Sequence, residues 1–177
     1  MPKLTSVKVS LTLPYIGGIE GTWEPDETEQ NAAWEMYVEL VTRISVAELK
    51  PNEGLLREGL SSLYTLFNTT REILRKYGPS VAQPKGKDGI SFGYLAVAIL
   101  NTVLRPVLAK WHPLLLDYES IKDPSLSPLE HERQWERYEE LRNELNNVRQ
   151  VLIEYAELLA QVAGVPSLIV ERNNGPQ

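Results

Sequence analysis

Arg105 and His112 stand seven residues apart in Arg-Pro-Val-Leu-Ala-Lys-Trp-His. On one continuous helix that spacing puts both side chains on the same face, two turns apart. A histidine can take or give a proton near neutral pH, and a guanidinium is a natural anchor for a phosphate. Side by side they offer a general base next to an anion site. Other signatures of chemistry are missing. No Gly-x-Gly-x-x-Gly occurs, and Gly86-Lys87 lacks both the earlier glycine and the following Ser/Thr of a phosphate loop. His131-Glu132 has no second histidine at helical spacing, so the metalloprotease pattern fails, and two histidines without cysteine make no zinc site. No serine is read as a nucleophile. Asn68-Thr69-Thr70 matches a glycosylation acceptor but, with no secretory signal expected, should stay unmodified. No metal and no cofactor is expected.

The spacing of Arg105 and His112 resembles the arginine–x(4–6)–histidine motif of the higher-eukaryote-and-prokaryote nucleotide-binding superfamily. That resemblance covers eight of the 177 residues. It implies a helical bundle, often dimeric, in which the histidine and arginine act on the scissile phosphate and on attack by the 2′-hydroxyl, without a metal. The chain departs from the motif in two ways. Pro106 follows the arginine where the family has a polar residue, and Pro113 follows the histidine and should break the helix presenting it.

The elements that would position these residues follow from hydrophobic periodicity. Val7, Val9, Leu11 and Leu13 alternate with polar residues, and Gly17-Gly18 supplies a turn. Ile19, Gly21 and Trp23 share one face of a returning strand, so 6–23 reads as a β-hairpin. Helix A is expected over about 26–48, with Pro25 suited to its first turn and a stripe of Ala33, Trp34, Tyr37, Val38, Val41 and Ile44. Helix B follows over about 52–77, stopped by Gly78-Pro79. Residues 78–90 read as the longest and most flexible loop. Helix C, about 91–118, is apolar on all sides in its first half, which predicts a buried central position, with a kink at Pro106.

Helix D opens at Ser127-Pro128-Leu129-Glu130, a capping box, and is expected to run unbroken to Gly164. Its seam is Trp135, Tyr138, Leu141, Leu145, Val148, Leu152, Tyr155, Leu159 and Val162, a helix-packing period near 3.5. At roughly 54 Å it would be longer than the other three helices. One end, expected to be its start with Trp135 and Tyr138, must therefore overhang, bend, or pack on something else, either the hairpin or a partner. Leu168-Ile169-Val170 reads as a possible third strand, and residues 173–177 as disordered. The expected fold class is therefore mainly α: an up–down four-helix bundle over 26–164 with an N-terminal β-hairpin and a 165–177 tail, all in one domain spanning 1–177.

Composition narrows function further. The net charge is −6, pI about 5.1, with 42% hydrophobic and 24% charged residues and no cysteine. Disulfides and thiolate metal sites are excluded, and a cytoplasmic location is expected. An acidic chain is a poor candidate for nucleic acid. Only the middle third, 51–119, is net positive, with eight basic side chains against six acidic ones. Its best basic patch is Arg71, Arg75 and Lys76, with Lys85 and Lys87 nearby. The apolar stretch of 92–116 holds Arg105, Lys110, His112 and two prolines, so it reads as a core helix and not a membrane span.

With the machinery of an enzyme incomplete, the function expected is binding. The chain reads as an adaptor, inhibitor or accessory subunit of a larger bacterial assembly, with antiviral defence one setting. The contact residues are Val9 and Trp23 on the open hairpin, Arg71 and Arg75 in the basic patch, Lys110 on helix C, and Trp135 and Tyr138 at the start of helix D. A protein is the expected partner, with a second copy of the chain also possible through the hairpin edge. No membrane partner is expected. The alternative is a metal-independent ribonuclease using Arg105 and His112, and a third reading is a small-molecule site between helices C and D.

Overall fold

A computed structural model describes residues 5–14 and 17–169. Strands β1 (Val7–Leu13) and β2 (Gly17–Trp23) pair antiparallel, with Val7 opposite Trp23 and Leu11 opposite Ile19. The alternation works as read: Val7, Val9, Leu11, Leu13, Ile19 and Trp23 all turn into the core. Gly21 has a spatial role. A Cβ there would stand 2.9 Å from Asp88 Cβ and 3.0 Å from Ile90 Cδ1, so its absence lets the 78–90 segment close on the hairpin.

Five helices follow: α1 (Glu27–Val41), α2 (Leu56–Tyr77), α3 (Phe92–Ser120), α4 (Pro128–Arg133) and α5 (Tyr138–Ala163). The protein is thus mainly helical with a two-stranded N-terminal hairpin. α1 packs on α5 and α2, α2 packs on α3, and β1 lies against α5 and the middle of α3. One apolar cluster runs from the strands through α1, α2, α3 and α5.

Several element boundaries differ from the sequence expectation. Asp26 is the N-cap of α1 and forms a capping box with Glu29, so Pro25 precedes the helix. α1 ends at Val41, where Thr42 turns its hydroxyl onto the Val38 carbonyl at 2.7 Å. Its buried stripe is Ala32, Ala33, Met36, Tyr37 and Leu40, leaving Trp34 and Val38 41% and 38% exposed. α2 begins at Leu56, four residues late, where a carboxylate from far along the chain caps it. The 78–90 segment is tied down. It holds a 3-10 turn at Pro79–Ala82 with Val81 fully buried, and Asp88 accepts the Thr22 N–H at 2.7 Å.

The largest correction concerns the C-terminal third, which is not a single rod. The capping box at Ser127 and Glu130 forms, but α4 ends at Arg133 and residues 134–137 make a turn before α5. The Trp135 N–H donates to the Glu132 carbonyl at 3.1 Å, and the Tyr138 N–H to the Trp135 carbonyl at 3.0 Å. These tight i to i−3 bonds keep the seam in phase across the break. Trp135 and Tyr138 are consequently 8% and 9% exposed, and no aromatic overhang exists there. Gly164, in the left-handed region at φ 73°, closes α5 as expected.

No third strand forms among the described residues. Leu168 gives its N–H to the Tyr37 hydroxyl at 2.6 Å instead. Val170 and residues 173–177 lie outside the described residues. α3 is long and apolar enough to cross a membrane by composition, but 56% of its most apolar window is buried in the fold, as in a core helix of a soluble protein.

Candidate functional site

α3 carries both residues singled out by spacing, and it runs through both prolines without breaking. The turn before Pro106 widens into π-helix over Ile99–Leu104, and the Arg105 N–H bonds back five residues to the Leu100 carbonyl. A π turn is a known way to absorb a residue that a regular helix cannot seat. Pro113 sits inside the following α-helical stretch. Arg105 and His112 therefore share the solvent face, as their spacing requires.

Their side chains turn to different partners. Arg105 Nε donates to Asn101 Oδ1 at 3.1 Å, and its guanidinium lies 5.1 Å from the centre of the Phe67 ring. His112 Nδ1 stands 2.8 Å from an Arg57 guanidinium nitrogen, and Arg57 Nε donates to Glu119 at 2.7 Å. A guanidinium can only donate, so Nδ1 accepts and the ring proton sits on Nε2. Residues seven apart are about 10.5 Å apart along a helix axis. No contact joins Arg105 to His112, and with Nδ1 accepting from Arg57 the Nε2–H is left as a hydrogen-bond donor.

The exposed positions of α3 form a stripe of helical period: Tyr94, Val97, Asn101, Arg105, Ala109, His112 and Leu116. Tyr94, Val97 and Leu116 are 54%, 42% and 53% exposed. The helix whose first half is apolar on all sides thus turns a partly apolar stripe to solvent, with Arg105 at its middle. Across from it, α2 contributes Arg71, whose guanidinium lies 5.8 Å from the same Phe67 ring, and Tyr64, which packs at 6.5 Å from Phe67 and is 69% exposed. Neither Arg71 nor Arg105 has a carboxylate within ion-pair distance among the described residues. Two guanidiniums thus lie over one aromatic ring, and no carboxylate among the described residues pairs with either.

The other contact residues divide by burial. Arg75 is exposed near the end of α2. Lys110 is exposed but engaged, 3.5 Å from Glu140 and over the Trp111 ring at 4.7 Å. Val9 and Trp23 are 1% and 0% exposed, and Trp135 packs edge-on against Trp111 at 6.1 Å and stacks on Tyr118 at 5.3 Å. With Tyr138 also buried, the side chains of those four lie in the core. Lys76, in the basic patch, is spent on Glu35, and Lys85 on Asp26 and Glu29 at 3.0 and 3.1 Å.

Contrary to the expectation that no serine sits in a Gly-x-Ser-x-Gly context, Gly89-Ile90-Ser91-Phe92-Gly93 has that form, which presents a nucleophile when a strand turns sharply into a helix. Here Ser91 is 1% exposed and its hydroxyl caps α3, accepting the Tyr94 N–H at 3.1 Å. It does the work of an N-cap. Among the described residues no three His, Asp or Glu side chains gather as a metal site would need.

Tyr64, Phe67, Tyr94, Val97 and Arg57 escape a reading of the sequence alone. Phe67, Tyr94 and Val97 read as core positions, and only the packing of α2 on α3 decides which of these side chains reach water. No family model, no curated protein and no solved structure matches this chain.

Proposed function

We propose that this chain is a non-catalytic subunit that works by holding another protein, as an adaptor, inhibitor or accessory component, on the solvent face of α3 and the adjoining edge of α2. The four long helices, read as an up–down bundle, serve as the scaffold for that face. The partner segment is amphipathic and acidic: apolar side chains meet Tyr94, Val97 and Tyr64, and carboxylates meet Arg71 and Arg105. The observation that carries this reading is the pair of guanidiniums over Phe67 with no carboxylate partner among the described residues. An arginine stacked on an aromatic ring is pre-positioned for a bidentate ion pair. Exposed apolar groups beside such cations are a usual composition for a contact surface. The cytoplasm is the compartment this reading assigns.

The engagement of His112 Nδ1 by Arg57 supports a binding role over RNA cleavage, because it leaves no free base beside Arg105. The test is a photo-crosslinking amino acid placed at Val97 or Tyr64 in the native host. Crosslinks should form to a protein segment rich in Asp and Glu. The double variant Arg71→Glu, Arg105→Glu should lose them at an unchanged melting temperature. Undiminished crosslinking in the charge-reversed protein, or none in the parent, would refute the proposal.

A further inference from the structure

Away from that face, a second concavity lies between the 44–55 connection, the first turns of α2 and the middle of α5. Its volume is about 360 Å³, within the range of small-molecule sites. Leu49, Leu55 and Leu145 give it an apolar lining, and α5 sets Arg142 and Arg149 along its rim. It is not the gap between helices C and D where the sequence suggested a ligand.

The charges around it are unequal. Arg142 is fixed in place, donating to the Lys50 carbonyl at 2.7 Å and to the Tyr138 hydroxyl at 3.0 Å. Arg149 Nε donates to Asn146 Oδ1 at 3.1 Å. Neither arginine has a carboxylate within ion-pair distance among the described residues. Of the two acids on the lining, Glu53 is turned into its own loop, accepting the Lys50 N–H at 2.9 Å, and Glu139 is exposed beside Arg142. Arg149 is thus a half-buried cation beside a leucine lining.

We infer that this cleft binds a small amphiphile with a single carboxylate head, the head on Arg149 and an aliphatic tail along the leucines. A carboxylate completes the planar donor fork of an arginine, which a neutral hydroxyl does not. An aliphatic tail gains free energy by leaving water for the leucine lining. This site is independent of the α3 face, and either can fail without the other.

The probes are octanoate and 1-octanol, titrated into the full chain by calorimetry. Octanoate should bind saturably at one site per chain, at least about tenfold more tightly than octanol. Arg149→Gln should bring octanoate down to the level of octanol. Ala47→Phe, which fills the cleft from an exposed lip residue, should abolish binding of both. Backbone amide shifts in the parent should cluster at residues 44–59 and 139–149, a check that holds even if a variant folds poorly. The inference is overturned if octanoate does not saturate below its micelle concentration, if octanol binds as tightly, if the Arg149 variant keeps the parent's preference, or if the shifts fall elsewhere.

Discussion

Two buried glutamates join parts of the chain that are distant in sequence. Glu29, fully buried, accepts from the Trp23 indole at 3.3 Å and from the Phe92 N–H at 3.0 Å, tying the hairpin to the start of α3. Glu132, 3% exposed, accepts the N–H groups of Leu56 and Arg57 at 2.7 and 3.2 Å. The N-cap residue of α2 is Leu55, which has no side chain able to cap, so α4 supplies the missing acceptor. Glu132→Ala leaves two helix-start donors without a partner and should cost about 1–3 kcal/mol, read from denaturant melts. The same carboxyl gives a pH signature. Burial pushes it above the ordinary carboxylate range, against the two N–H donors that pull it down, while Glu119 nearby adds to the rise. A carboxyl easier to protonate in the folded chain than in the unfolded one adds most stability below the unfolded value, about 4.3, and loses it as pH rises through the folded value. Glu132→Gln has no such proton to lose. The stability of the parent minus that of the Gln variant should therefore shrink as pH rises above about 4, and a difference that grew with pH would show the sign to be wrong. At His112 the expectation concerns activity. With Nδ1 held by Arg57, the parent should leave labelled RNA intact, and RNA cleavage lost in both Arg105→Ala and His112→Ala would restore the ribonuclease reading.

At the scale of elements, the turn at 134–137 shows how far a pattern can be trusted. Trp135 belongs to the buried seam as its spacing indicates, yet the helix breaks around it. Gln134 to Arg137 are acceptable helix formers, and tight i to i−3 bonds preserve the phase, so nothing local marks the break. Its companions are tertiary: Trp111 and Tyr118 from α3 hold the Trp135 ring, and Tyr118 also stacks on His131 at 3.9 Å. Trp135→Ala should cost about 3–5 kcal/mol, the loss for a buried large aromatic, and lower the melting temperature whether or not a partner is present. The strands and the capping box at Ser127 were legible because alternation and capping are local. The late start of α2 was not, because its cap comes from Glu132, 76 residues away. The exposed edge of α1 was missed for a related reason: Trp34 and Val38 extend an apolar stripe wider than the surface α5 and α2 cover. Of the candidate docking face, only Arg71 and Arg105 could be singled out from sequence. Their shared seat on Phe67 needs two helices to meet.

Over the whole molecule, the hairpin decides whether fold and binding can be separated. An isolated two-stranded sheet is marginal in water, which on its own would favour an open edge awaiting a partner. This hairpin instead places Val7, Val9, Leu11 and Leu13 in the same apolar cluster as α1, α3 and α5, and Asp88 takes up one β2 amide from the side. It acts as a cover on the helical core. Val9→Asp would put an unpaired charge 1% exposed among aliphatic side chains, at a cost of about 3 kcal/mol or more. Because the cluster is continuous, that loss should appear in the helices as well as the strands. Tryptophan fluorescence and far-ultraviolet circular dichroism should report one coincident transition at lower temperature in the variant. Arg71→Glu with Arg105→Glu should do the reverse, since both residues are exposed and neither pairs with a carboxylate among the described residues, leaving the melt in place. A fluorescence transition in Val9→Asp well ahead of the dichroism would mean that the hairpin is a separable unit, and its edge would again be a candidate for a second chain.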